Sequence, residues 1–95
     1  MAGIPGKGGF SGAVADGTST AVAVPGGAKE FWVLSSGAAW LTVNTSSAPL
    51  TALNTTKATP IGAGLYGPFS AMPGYGTYVH VGGNGGTPTI TVTFA

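Results

Sequence analysis

The chain has 95 residues, a mass of 9.2 kDa and a formal charge of +1, with only five charged side chains: Lys7, Lys29, Lys57, Asp16 and Glu30. An ordinary chain carries about a quarter of its residues as charges, so electrostatic steering toward a polyanion is excluded as a driving force. The absence of Cys, Arg and Gln and the presence of one histidine, His80, exclude disulfide bracing and leave little for a structural metal, while 18 Gly and 7 Pro exclude a long helical protein.

Residues 1–17 hold six glycines and little periodicity. They are predicted to form a flexible N-terminal arm, which Phe10 or Val14 would anchor. From Thr18 to Val24 the segment TSTAVAV alternates, with Val22 and Val24 on one face and Ala21 and Ala23 on the other. That is the period-2 signature of a strand, and Pro25-Gly26-Gly27 ends it. Lys29–Ser36 (KEFWVLSS) and Ala38–Thr45 (AAWLTVNT) are rich in aromatic and β-branched residues and predict two more strands around a short turn. The first puts Phe31 and Val33 on one side and Trp32 and Leu34 on the other, so both faces are expected to be at least partly covered, one as an interface.

Between Ser46 and Ala58 the pattern weakens to polar turns around Leu50 and Leu53, with a short strand. In Thr59–Phe69, TPIGAGLYGPF, Pro60 and Pro68 remove donors and three glycines permit bends, which predicts an edge strand interrupted by turns or a bulge. Thr77–Val81 (TYVHV), GGNGGTP and TITVTF read as a hairpin, Ile90, Val92 and Phe94 alternating with threonines in its second arm. The flat, threonine-rich TITVTF also offers itself as an edge for strand addition between chains. Seven or eight short strands at this spacing predict an all-β domain, residues 18–95, as a small antiparallel sandwich or jelly-roll-like barrel.

So small a domain buries only somewhat over about 60% of the surface its unfolded chain exposes. With disulfides excluded, association with other chains is expected. The lysines are too scattered to form a phosphate-binding stripe, which argues against nucleic acid. No stretch is long and apolar enough to span a membrane, and no apolar run follows Met1 as a secretory signal would, so synthesis in the cytoplasm is expected.

Catalytic and cofactor chemistry find little support. A triad of Ser, His80 and Asp16 or Glu30 lacks any Gly-x-Ser-x-Gly pattern, and Asp16 sits in an Asp-Gly turn. His80 alternates with valines, which places it on a polar or interfacial face. No metal or cofactor is expected, and the glycine runs match no phosphate-binding spacing. Asn44-Thr45-Ser46 and Asn54-Thr55-Thr56 match the glycosylation acceptor, a pattern that recurs by chance in a chain with 13 threonines. The aromatic residues Phe10, Trp32, Trp40, Tyr66, Tyr75 and Tyr78 are the candidate interface residues. Large rings with one polar atom suit half-wet interfaces, which is the preferred reading; the alternative is that Trp32, Trp40 and the three tyrosines make a stacking platform for sugar rings.

A Gly-rich arm, then EFWVLSSGAAWLTVN, the corner ATPIGAGLYGPF and the terminal GTYVHVGGNGGTPTITVTFA together resemble small tailed-phage capsid decoration, or cement, proteins. The resemblance spans residues 18–95 and is one of pattern rather than motif. It implies a non-enzymatic virion protein on the capsid surface, bound to the major capsid protein or another virion protein, assembled as a homo-oligomer and often a trimer. The alternative is a carbohydrate- or receptor-binding sandwich of a phage tail or fibre.

Overall fold

A computed structural model describes residues 9–51, 58–71 and 77–95. Its eight strands are β1 (Gly9–Ala13), β2 (Thr20–Ala23), β3 (Glu30–Ser35), β4 (Ala39–Asn44), β5 (Thr59–Ile61), β6 (Gly64–Ser70), β7 (Tyr78–Gly83) and β8 (Thr89–Phe94). They form two four-stranded antiparallel sheets, a front sheet ordered β1-β8-β3-β6 and a back sheet ordered β2-β7-β4-β5. The ladders β1/β8, β2/β7, β3/β6 and β4/β5 join strands whose numbers always sum to nine. One long antiparallel hairpin, rolled up so that β3 meets β8 and β4 meets β7, gives that pattern. The fold is therefore the expected small antiparallel β-sandwich, with the strand order of a jelly roll.

Alternation sets the core. Phe31 and Val33 of β3, Val79 and Val81 of β7, and Ile90, Val92 and Phe94 of β8 are buried between the sheets, together with Val22, Val24, Leu41 and Ile61. Phe31 is the hub of a small aromatic cluster, its ring 5.2 Å from Phe69 and 6.1 Å from Phe94. The valines of TSTAVAV point inward as their period requires.

Three expectations change. Residues 9–13, assigned to the arm, are strand β1, in unbroken register with β8 from Gly9↔Thr93 to Ala13↔Thr89. Val14 beyond them is a core residue. The threonine-rich β8 supplies main-chain partners that glycine content alone does not reveal; residues 1–8 lie outside the described residues. TYVHV and TITVTF do not form a hairpin, because β7 lies in the back sheet and β8 in the front sheet. The connection Asn84–Pro88 crosses between layers, a span of about 10 Å that a tight two-residue turn would not cover. Gly83 makes the crossing possible, since a Cβ there would overlap the Gly86 carbonyl. Finally, TITVTF is no edge: β8 is paired on both sides, by β1 and β3.

The proline and glycine corner behaves as expected. β6 is an edge strand whose register against β3 shifts between Phe31 and Val33. Gly67 sits in this bulge with φ 131°, before a cis bond to Pro68.

Candidate functional site

The outer face of the front sheet carries an apolar patch. Inward residues of β3 alternate with Trp32 and Leu34 outside, and register places Trp32 opposite Thr93, and Leu34 between Thr91 and Leu65. Leu34 is 43% exposed and Leu65 56%, values that leave both with much of their apolar surface in water. Trp32, Leu34, Leu65, Thr91 and Thr93 line a shallow groove of about 170 Å³. Beside it, Ser11 and Thr91 join hydroxyls at 3.1 Å. The groove and the hydroxyl row contain no charged side chain. Gly67 holds the indole in place by omission: a Cβ there would stand 2.9 Å from both the Phe31 carbonyl oxygen and Trp32 Cδ1.

The outer face of the back sheet is organised differently. His80 points away from the core valines Val79 and Val81, yet it is fully buried, because the segment after β4 folds back across it. His80 Nε2 lies 2.8 Å from the Ser46 carbonyl oxygen, and Nδ1 lies 2.8 Å from Ser19 Oγ. A carbonyl only accepts, so Nε2 carries a proton, and in the neutral ring Nδ1 then accepts from the Ser19 hydroxyl. Ser19 Oγ in turn accepts the Leu50 N–H at 2.7 Å, and the Ser19 N–H donates to the Leu50 carbonyl at 2.9 Å. A bridge between Thr18 and Thr51 completes the strap.

The Ser19–His80 pair has the composition of a catalytic dyad but not its setting. Ser19 is 5% exposed, its oxygen is already engaged by Leu50, and the second ring nitrogen meets a backbone carbonyl rather than a carboxylate. Asp16 is elsewhere, accepting the Gly85 N–H at 2.8 Å. Among the described residues, no three His, Cys, Asp or Glu side chains come together, and no helix is long and apolar enough to cross a membrane.

The aromatic candidates separate. Trp32 belongs to the front patch. Phe10 lies opposite Val92 and Tyr66 opposite Val33, so both turn toward the interior and pack against the core; the Tyr66 hydroxyl accepts the Gly62 N–H at 3.0 Å. Strand alternation, invisible until β1 and β6 had partners, decides this. Trp40 and Tyr78 share the outer back face, but Trp40 is opposite Gly82, four residues from Tyr78, or about 13 Å along the strand. Tyr75 lies outside the described residues. No single platform joins these rings. Leu34, which the alternation of β3 already places on the Trp32 face, and Leu65, which it does not, complete the patch.

No protein-family model matches the chain, and neither a curated protein nor a solved structure does.

Proposed function

We propose that this protein is a non-catalytic structural component that docks flat on a larger protein assembly, the capsid of a phage particle, through the outer face of its front sheet. The observation that carries the reading is the apolar row of half-buried Trp32 and exposed Leu34 and Leu65, set in a neutral field of threonine and serine hydroxyls. Exposed apolar patches with polar rims mark protein contacts, and aromatic anchors surrounded by small polar residues dominate such interfaces. Jelly rolls occur in viral shells and in lectins alike, so the fold supports the reading without deciding it.

A second reading, a sugar-binding module, draws on Trp32 standing beside Thr91 and Thr93, an aromatic face next to hydroxyls. Particles purified from the native source separate the two. Quantitative mass spectrometry is expected to find hundreds of copies per particle, and Leu65→Lys is expected to abolish rebinding of the folded protein to stripped particles. Absence from particles, with glycan binding that disappears in Trp32→Ala, would reverse the assignment.

A further inference from the structure

We infer that β1 is a self-pairing edge, through which two copies of this chain join their front sheets about a two-fold axis. The inference goes beyond the docking reading, and its test uses the purified chain with no particle present.

A four-stranded sheet has two edges, and an edge strand with free N–H and C=O groups is a template for another strand. Three of the four edges here are blunted. β6 carries the register shift and Pro68. β5 is three residues long and contains Pro60. On β2 the outward N–H of Ser19, just before the strand, already bonds the Leu50 carbonyl, and Pro25 follows the strand. β1 has none of these devices. It is Gly9-Phe10-Ser11-Gly12-Ala13, without proline, charge or register shift, and among the described residues no strand pairs along its outer side.

The phase of the ladder identifies the atoms on offer. The Val14 N–H donates to the Pro88 carbonyl at 3.0 Å, and 14↔88 continues the β1–β8 register. In an antiparallel ladder, hydrogen-bonded residues recur every second position. Gly12 and Phe10 therefore bond toward β8, while Gly9, Ser11 and Ala13 direct their N–H and C=O groups outward. All three are exposed.

The same phase selects the occupant. When β1 is laid antiparallel on a second β1 with Ser11 opposite Ser11, Gly9 meets Ala13 at both ends. Every outward position then faces another, giving about six N–H···O bonds. The paired side chains are hydrogen, hydroxymethyl and methyl groups, so nothing charged or bulky opposes closure. Pairing β1 to a different edge would build rings or filaments, but its sheet-mate β6 is blunted, which leaves the closed two-fold pair. A 95-residue domain without a single cysteine also gains from association.

Sedimentation equilibrium of the purified chain, over a wide range of concentration, reads the assembly directly. The expected mass is twice that of the chain. Ser11→Pro removes an N–H that the β1–β8 ladder does not use, so it is expected to give single-chain mass with unchanged β-type circular dichroism. Ser11→Cys introduces one thiol; facing residues in a hydrogen-bonded antiparallel pair have Cβ atoms about 5.5 Å apart, wider than an unstrained disulfide, so a short bifunctional thiol crosslinker is expected to convert most of the protein to a covalent dimer. The exposed control Ala63→Cys is expected to stay uncrosslinked. If Ser11→Pro fails to fold, the cysteine pair decides alone. A single-chain mass without Ser11→Cys dimer, or a larger mass untouched by Ser11→Pro, overturns the inference. So does a monomer that gains mass only with a different protein through this edge.

Discussion

Ser19 and His80, 61 positions apart in sequence, are joined side chain to side chain at 2.8 Å beneath a strap that neither belongs to. The pair fastens residues 46–51 over the back sheet using groups that would otherwise be buried without partners. Among the described residues, no buried side-chain nitrogen or oxygen is left unsatisfied.

Breaking this fastening is expected to destabilise the fold by more than the bond itself contributes. Ser19→Ala strands both Nδ1 and the Leu50 N–H, a loss of about 1–3 kcal/mol. His80→Ala adds a cavity and a stranded Ser46 carbonyl, about 3–4 kcal/mol in all. Urea unfolding measures both, and faster amide exchange at Leu50 in Ser19→Ala is the local signature. An unchanged exchange rate would show that the strap does not depend on the serine.

Gly67→Ala is expected to cost about 2 kcal/mol or more. The new methyl meets the Phe31 carbonyl and the Trp32 ring at 2.9 Å, and φ is 131°. Gly26→Ala, where nothing lies within 4 Å, serves as the neutral control. Because the strained methyl pushes on the indole, tryptophan fluorescence should shift in the first variant and not in the second.

Phe10 and Leu65 are expected to part ways. Phe10→Ala removes a ring packed on the core and should lower stability by about 2–3 kcal/mol, below the range for a fully buried phenylalanine. Leu65→Ser, at an exposed site, should change stability by less than about 0.5 kcal/mol while weakening attachment to the particle. Thermal melts beside particle-binding isotherms read the contrast.

Truncation separates the contribution of residues 1–8 from that of β1. Removal of residues 1–8 leaves every β1–β8 pair in place and should preserve a cooperative unfolding transition. Removal of residues 1–12 takes four of the five residues of β1 and bares the flank of β8, so loss of cooperativity is expected. Circular dichroism melts of the two truncations give the comparison.

Attachment through the front patch should be nearly indifferent to salt. With no charged side chain among Trp32, Leu34, Leu65, Thr91 and Thr93, little remains for counterions to screen. Affinity for stripped particles is expected to change less than about twofold from low to high ionic strength; a steep fall would point to Lys29 or Glu30 instead.

Much of this architecture is legible in the chain because alternation is a local property. Val22 and Val24, Phe31 and Val33, and Ile90, Val92 and Phe94 all announce their inward faces within a few residues. Pairing is not local. TYVHV and TITVTF look like adjacent arms until β7 is taken by β2 and β4. Gly9–Ala13 looks like slack chain until β8, 80 residues away, supplies its ladder. The candidate residues divide along the same line: Trp32 could be assigned to an outer face from its neighbours, whereas the inward turn of Phe10 and Tyr66 follows only from their distant partners. The burial of His80 depends on Ser46 and Leu50, in a stretch whose pattern is weak.

The position of β8 has a consequence for how this molecule comes into being. On the ribosome, β8 is the last of the eight strands to emerge, yet it lies between β1 and β3 and bonds to both. Until it arrives, β1 has no neighbour in the front sheet, only β3 and β6 can pair there, and Phe31 and Val33 lack the strand that covers their other flank. The front sheet therefore cannot be completed before β8, although the back-sheet strands and the β3/β6 pair precede it. Closing the roll must wait for β8 and then joins strands far apart in sequence, the slow regime for sheet proteins, during which exposed strands are open to wrong pairings.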